Sequence, residues 1–245
     1  MSITGVPDDE AGAGPQKVGV ALTDILTGLY ATIGILAALQ ERNRSGLGQH
    51  IDTALLDVQV ATLANQASNY LVGGVVPRRM GNAHPSIVPY QTFPTADSDM
   101  ILAVGNDGQF ARFCLVAGHP EWAQDERFAT NPQRVRHRAE LIPLLRQTTV
   151  MRTTAEWVSA LEQADVPCGP VNRLDQVFAD PQVQARGIRV DLPHPLGTVS
   201  TVASPVRLSA TPVQYRRPPP LVGQHTEEVL RDWLQAEATE VAAPA

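Results

Sequence analysis

The run ALTDILTGLYATIGILAAL, residues 21–39, limits the folds open to this chain more than any other feature. Apolar side chains recur with helical spacing at Ile25, Leu26, Leu29, Ile33, Leu36 and Leu39. Tyr30 and Ile35 widen the stripe until it runs nearly all round. A helix of that kind is normally buried, so the fold has to cover it on most sides. The spacing predicts a helix over 25–43, stopped in QERNRSGLG by basic residues and by Gly46 as C-terminal cap. Gly28 and Gly34 cost helix stability and predict close packing by another backbone or a ligand. The apolar segment 25–39 reads as too short to cross a bilayer. Residues 1–24 lack the basic-then-apolar order of a secretory leader.

One carboxylate, Asp24, stands at the front of this run. It has two compatible readings. An aspartate before a helix caps it by accepting a backbone N–H. A carboxylate held in a mostly apolar site can also be a nucleophile towards a thioester. Free N–H groups at a helix start would then stabilise charge developing on a bound carbonyl oxygen.

Further along, QHIDTALL alternates like a strand over 49–55, and DVQVATLANQASNYL resumes a helical pattern with Asp57 as its cap. VGGVVPRRMGNAHPSIVPYQTF, rich in Gly and Pro, marks a linker. After it, MILAVG reads as a strand, and DGQFARFCLVAG, RAELIPLLRQTTVM and TTAEWVSALEQADV as helices. From residue 187, IRVDL, TVSTVAS and VRLSA read as short strands. RRPPPLVGQHTEEVLRDWL leads into a last amphipathic helix, and 235–245 reads as a frayed tail. The division expected is 1–75 as part of a large domain, 76–185 as linker and small domain, and 186–234 as a return to the large domain.

The chain's 245 residues suffice for a sizeable core. A net charge of −6 with scattered arginines argues against a nucleic-acid surface. Cys114 and Cys168 lie far apart and form no CxxC or metal spacing, which fits a reduced, cytoplasmic setting. No P-loop, GxGxxG, GxSxG or HExxH pattern is found in the sequence. Asp107 in VGNDGQF reads as a turn residue, flanked by Gly105 and Gly108 that would let the loop approach a ligand or move. His84 in GNAHPS reads as a turn or capping histidine, and Cys168 in VPCGPVN as a small buried side chain.

Five segments in order carry a resemblance: KVGVALTDILTGLYATIGILAALQERNRSGLGQHIDTALLD, GNAHPSIVPYQTF, ILAVGNDGQFARFC, ADVPCGPVN and GQHTEEVLRDWL. Together they resemble the class III CoA-transferases, the group of formyl-CoA transferase and carnitine CoA-transferase, over about Met1 to Leu234. The resemblance is to the C-terminal portion of that family, so the chain is expected to start inside a domain and to be poorly active alone. It implies an α/β fold: an incomplete Rossmann-like large domain, an inserted small α+β domain and an interlocked homodimer.

It also implies chemistry. Asp24 falls on the family's nucleophile, and Gly105, Asn106, Asp107, Gly108 and Gln109 fall on the loop that covers the reacting thioester of coenzyme A. In the family scheme the aspartate attacks the donor acyl-CoA and forms a mixed anhydride, releasing CoA thiolate. The thiolate attacks the aspartyl carbonyl and gives an aspartyl-CoA thioester, which passes CoA to an acceptor carboxylate. The partners implied are acyl-CoA and a carboxylic acid, with no nucleic acid or membrane, no metal and no permanently bound cofactor. Two alternatives stand beside this. One is an α-methylacyl-CoA racemase on the same scaffold, although TDILTG here replaces that enzyme's glycine-rich stretch. The other is an inactive, truncated member that only binds.

Overall fold

The structure, a computed structural model, describes residues 1–234; the tail expected at 235–245 lies outside the described residues. The chain divides into two compact units, one ending at Val171 and one beginning at Asn172. Helices and sheets mix throughout, in line with the α/β class expected.

The first unit opens with two short paired strands, β1 (Gly5–Val6) and β2 (Gly14–Pro15). Gly5 has φ +124, and a Cβ there would sit 2.2 Å from the carbonyl oxygen of Gly14, so only glycine fits. Gly5 also bridges to Gly81, and Arg79 donates to the Val6 carbonyl and pairs with Asp8, which ties the opening segment to the later linker.

Helix α1 (Leu22–Ser45) follows and ends where expected, on Gly46 in the left-handed conformation. Its start falls three residues earlier than the sequence suggested, and its N-cap is Ala21. Two expectations fail here. None of its residues is buried; Ile33 is 63% and Leu36 61% exposed. The physical reason is a shortage of neighbours: α1 packs against one short helix, α2 (Leu55–Ala61), and little else. Gly34 is approached by the Ile51 side chain, while nothing lies near Gly28. Secondly, with its full length of 24 residues α1 is long and apolar enough to cross a membrane by length and composition, a test that core helices also pass.

The strand expected at 49–55 does not form: the segment pairs with no described strand, and without a ladder partner its alternation stays unpaired chain. The helix expected over 56–71 breaks into α2 and α3 (Asn65–Leu71) at Ala64, whose φ is +48. Asp57 lies inside α2, behind Ala54 as N-cap, and so does not cap it.

The core of the unit lies in its second part. Strands β3 (Tyr90–Pro94), β4 (Asp99–Ala103) and β5 (Cys168–Pro170) form an antiparallel sheet in that order, with Phe93 opposite Met100. Alternate residues point inward, so Phe93, Met100 and Leu102 are buried. Between β4 and β5 come α4 (Asp107–Ala117), a 3-10 turn at Pro120–Ala123, α5 (Asn131–Arg136), α6 (Arg138–Thr149) and α7 (Thr154–Gln163). Phe110, Phe113, Leu141, Leu145, Trp157 and Leu161 close the core over the sheet. Phe113 stacks between Phe110 and Trp157, at 6.5 and 6.4 Å between ring centres. Thr153 and Glu156 form a capping box at the start of α7.

The second unit holds α8 (Leu174–Ala179), α9 (Pro181–Ala185), an antiparallel pair β6 (Arg189–His194) and β7 (Gly197–Val202), and α10 (Thr226–Leu234). The third strand expected there, in VRLSA, is irregular chain.

Candidate active site

Asp24 is the third residue of α1. A residue in that position has helical backbone and cannot act as the N-cap, and Ala21 has no side chain with which to do so. The capping reading is therefore corrected. The carboxylate is exposed, and it makes no hydrogen bond or ion pair among the described residues. The helix start leaves the N–H groups of Thr23 and Asp24 without a partner among those residues, a local positive end of the helix dipole. The turn itself is held: Thr27 donates to the Thr23 carbonyl at 2.7 Å, and the Thr23 hydroxyl donates to the Gln59 side chain on α2. A carboxylate oxygen on an anchored turn, next to unsatisfied donors, has the placement needed to attack an acyl carbon and to have developing charge stabilised.

Residues 105–109 form the entry to α4. Asn106 is its N-cap and accepts from the Gln109 amide at 2.9 Å, while Gln109 Oε1 accepts from the Gly105 amide at 2.7 Å. Asp107 Oδ1 accepts from Arg134 Nη2 and from the Asn131 amide, each at 2.8 Å. Neither Gly105 nor Gly108 has positive φ, and a Cβ on Gly108 would sit 3.4 Å from Asn106 Oδ1. A loop read from its glycines as free to move is thus a helix start tied by four hydrogen bonds. No hydrogen bond or ion pair joins Asp24 to this segment among the described residues. A cavity of about 340 Å³ between the ends of α4 and α6 and the start of α7 includes neither group.

The family model described as CoA-transferase family III matches residues 1–226. The chain belongs to CoA-transferase family III. It is 51% identical over 240 residues to the succinate–glutarate CoA-transferase of Agrobacterium fabrum, covering 98% of this chain and 59% of that protein. It is 41% identical to the human succinyl-CoA:glutarate CoA-transferase, covering 96% of this chain and 53% of that one. Among solved structures, a CAIB/BAIF family protein from Brucella suis superposes with a TM-score of 0.76 at 46% identity, over 94% of this chain and 58% of the other. The chain therefore spans just over half the length of the relatives it matches.

Within this family member the remaining candidates have structural roles. His84 stacks on Tyr90 at 5.4 Å, and its Nδ1 accepts from the Ser86 amide at 3.1 Å, as a turn histidine does. Cys168 lies in β5 and donates to the Val158 carbonyl, and burial raises the pKa of its thiol. Cys114 is buried and pushed up to about 12, so neither thiol is an activated nucleophile. One residue escaped the sequence reading altogether. Arg134 is fully buried beneath the 105–109 segment. Nothing in NPQRVR marks it, since a lone arginine near a helix end reads as a solvated surface charge.

Proposed function

We propose that this protein transfers CoA between carboxylic acids, with Asp24 as the covalent nucleophile. The observation that supports this best is the unengaged Asp24 carboxylate on an anchored first turn, in a chain of this family. Asp24 attacks the donor acyl-CoA carbonyl, forming a mixed anhydride and releasing CoA thiolate. The thiolate attacks the aspartyl carbonyl, releasing the donor carboxylate and leaving an aspartyl-CoA thioester. The acceptor carboxylate then repeats the two steps in reverse order, and Asp24 is freed as CoA leaves on the acceptor. Each carbonyl substitution is easier than direct exchange. Residues 105–109 contact the CoA thioester, with the amides at the start of α4 as donors to developing negative charge.

The named activities of the two relatives support short dicarboxylic acids as donor and acceptor, of the succinate and glutarate type. The exposed apolar face of α1 supports a homodimer in which a second copy covers it. In that assembly residues 1–75 join a Rossmann-like layer, where the segment 49–55 gains the strand partner that it lacks alone. The two free cysteines support a cytoplasmic protein and the acidic balance one without a nucleic-acid partner, and the carboxylate and thioester steps above call for no resident metal or cofactor.

The test is transfer from succinyl-CoA to glutarate by the protein and its Asp24→Asn variant. The variant should lose roughly 10⁴-fold or more in turnover, the scale of removing a covalent catalyst, with an unchanged circular dichroism spectrum. Near-normal turnover by the variant removes Asp24 from the mechanism.

A further inference from the structure

The core under the 105–109 segment contains one buried cation. Arg134, on α5, is 0% exposed. Its Nε donates to the Val88 carbonyl at 2.7 Å, its Nη1 to the Phe128 carbonyl at 2.9 Å and its Nη2 to Asp107 Oδ1 at 2.8 Å. The guanidinium carbon lies 4.4 Å from the centre of the Phe110 ring. Asp107 is tied a second time, by the Asn131 amide, and Asn131 itself accepts from the Val88 amide and donates to the Ser86 carbonyl.

Stability alone gives no reason for a cation here, because a buried ion pair is often replaced by apolar residues at no loss. What an apolar side chain cannot do is hold three separate segments at fixed angles. The rigid guanidinium fork does so for the loop before β3, the turn before α5 and the start of α4. The Asp107 side chain is 52% exposed, so the lock has one end in the core and the other at the surface. It also pairs the carboxylate of a segment that, in the reading above, faces an anionic acyl-CoA.

We propose that Arg134 is a positioning residue: acting through Asp107, it fixes the 105–109 segment and the amide N–H groups at the start of α4 against the acyl-CoA. This rests on the reading of 105–109 as the CoA-contacting segment. Arg134 reaches no substrate itself. Its loss misplaces groups that act on the reacting atoms, and a misplacement of about 1 Å costs on the order of 100-fold in rate.

The experiment compares Asp107→Asn, Arg134→Lys, their double variant and Gln109→Ala, in succinyl-CoA-to-glutarate transfer and in hydrogen exchange. Each lock variant should lower kcat roughly 10- to 100-fold with KM for succinyl-CoA within about twofold, and the double should be no worse than the weaker single. If Arg134→Lys fails to fold, Asp107→Asn carries the test. Its amides 106–110 should exchange about tenfold faster or more, with those of α6 and α7 unchanged. Unchanged exchange at 106–110, a raised KM with kcat intact, or single effects that multiply in the double each overturn the proposal. Gln109→Ala separates the two ways to fail. If it slows transfer while the lock variants do not, the segment belongs to the site and Arg134 does not position it. If none of the four variants slows transfer, the function reading of 105–109 fails as well.

Discussion

Helix α1 and the core around Phe113 are both built from strongly apolar sequence, yet they end in opposite states. Phe93, Phe110, Phe113, Leu145 and Trp157 are buried, while α1 has no buried residue over 24. The difference lies in what the chain supplies nearby. The core elements follow one another from Tyr90 to Pro170, two strands, then the helices, then the third strand, so the apolar faces of the sheet and the helices meet. The faces of α1 meet one short helix. Apolar patterning thus fixes that a surface wants to be covered, whereas chain connectivity decides whether the same chain covers it. The catalytic candidate sits on the uncovered element, and Arg134, proposed to position the 105–109 segment, sits in the covered one.

That contrast can be tested by truncating one side chain in each region. Phe113→Ala removes a ring packed between two others and should destabilise the first unit by about 3–5 kcal/mol, read from denaturant unfolding. A loss below about 1 kcal/mol would mean that this core is not the stabilising element.

A smaller effect is expected from acid. Hydrogen bonds from the Thr154 amide, the Thr154 hydroxyl and the Thr95 hydroxyl hold the Asp97 carboxyl below its usual range, the amide bond being the strongest cause. Its folded pKa is lowered, so the stabilisation is fully present above the ordinary aspartate value and is lost as pH falls below about 4. Asp97→Asn should lower the melting temperature at pH 7 and flatten the acid limb of the stability profile. An acid limb identical to that of the parent would contradict this.

The smallest effect on folding should come from α1. Ile33→Ser on its exposed face should change the unfolding free energy by no more than about 0.5 kcal/mol. The same change should weaken self-association, seen as a lower molar mass in light scattering at matched concentration. A large folding penalty with unchanged association would show that α1 is buried within a single chain, and the contrast would collapse.

Much of this was readable from residue patterns. The helix stop at Gly46, the strands of MILAVG and IRVDL, the helices α4, α6 and α7 and the place of Asp24 at a helix front all rest on local chemistry, and local chemistry is what sequence carries. The failures at 49–55 and at Arg134 are non-local, while those at the helix starts come from local competition between caps. Residues 49–55 alternate correctly, but a strand exists only with an edge to pair with. Asp24 and Asp57 read as caps because Asp commonly caps, yet Ala21 and Ala54 begin the helices earlier and place both acids in the first turn. Arg134 was invisible because its burial depends on the Val88 carbonyl and the Asp107 carboxylate, which come from distant segments, as well as on the nearby Phe128 carbonyl. The glycines flanking Asp107 suggested mobility, while the bonds that tie the segment come from side chains at 106, 107 and 109.

The central claim, that Asp24 forms a covalent bond with the acyl group or with CoA, is tested most directly by mass spectrometry of the protein quenched during turnover with succinyl-CoA. An added mass of a succinyl or a CoA group is expected on the peptide that contains Asp24, and is expected to be missing from the same peptide of Asp24→Asn. Turnover with no adduct on that peptide, or an adduct that survives in Asp24→Asn, would contradict it.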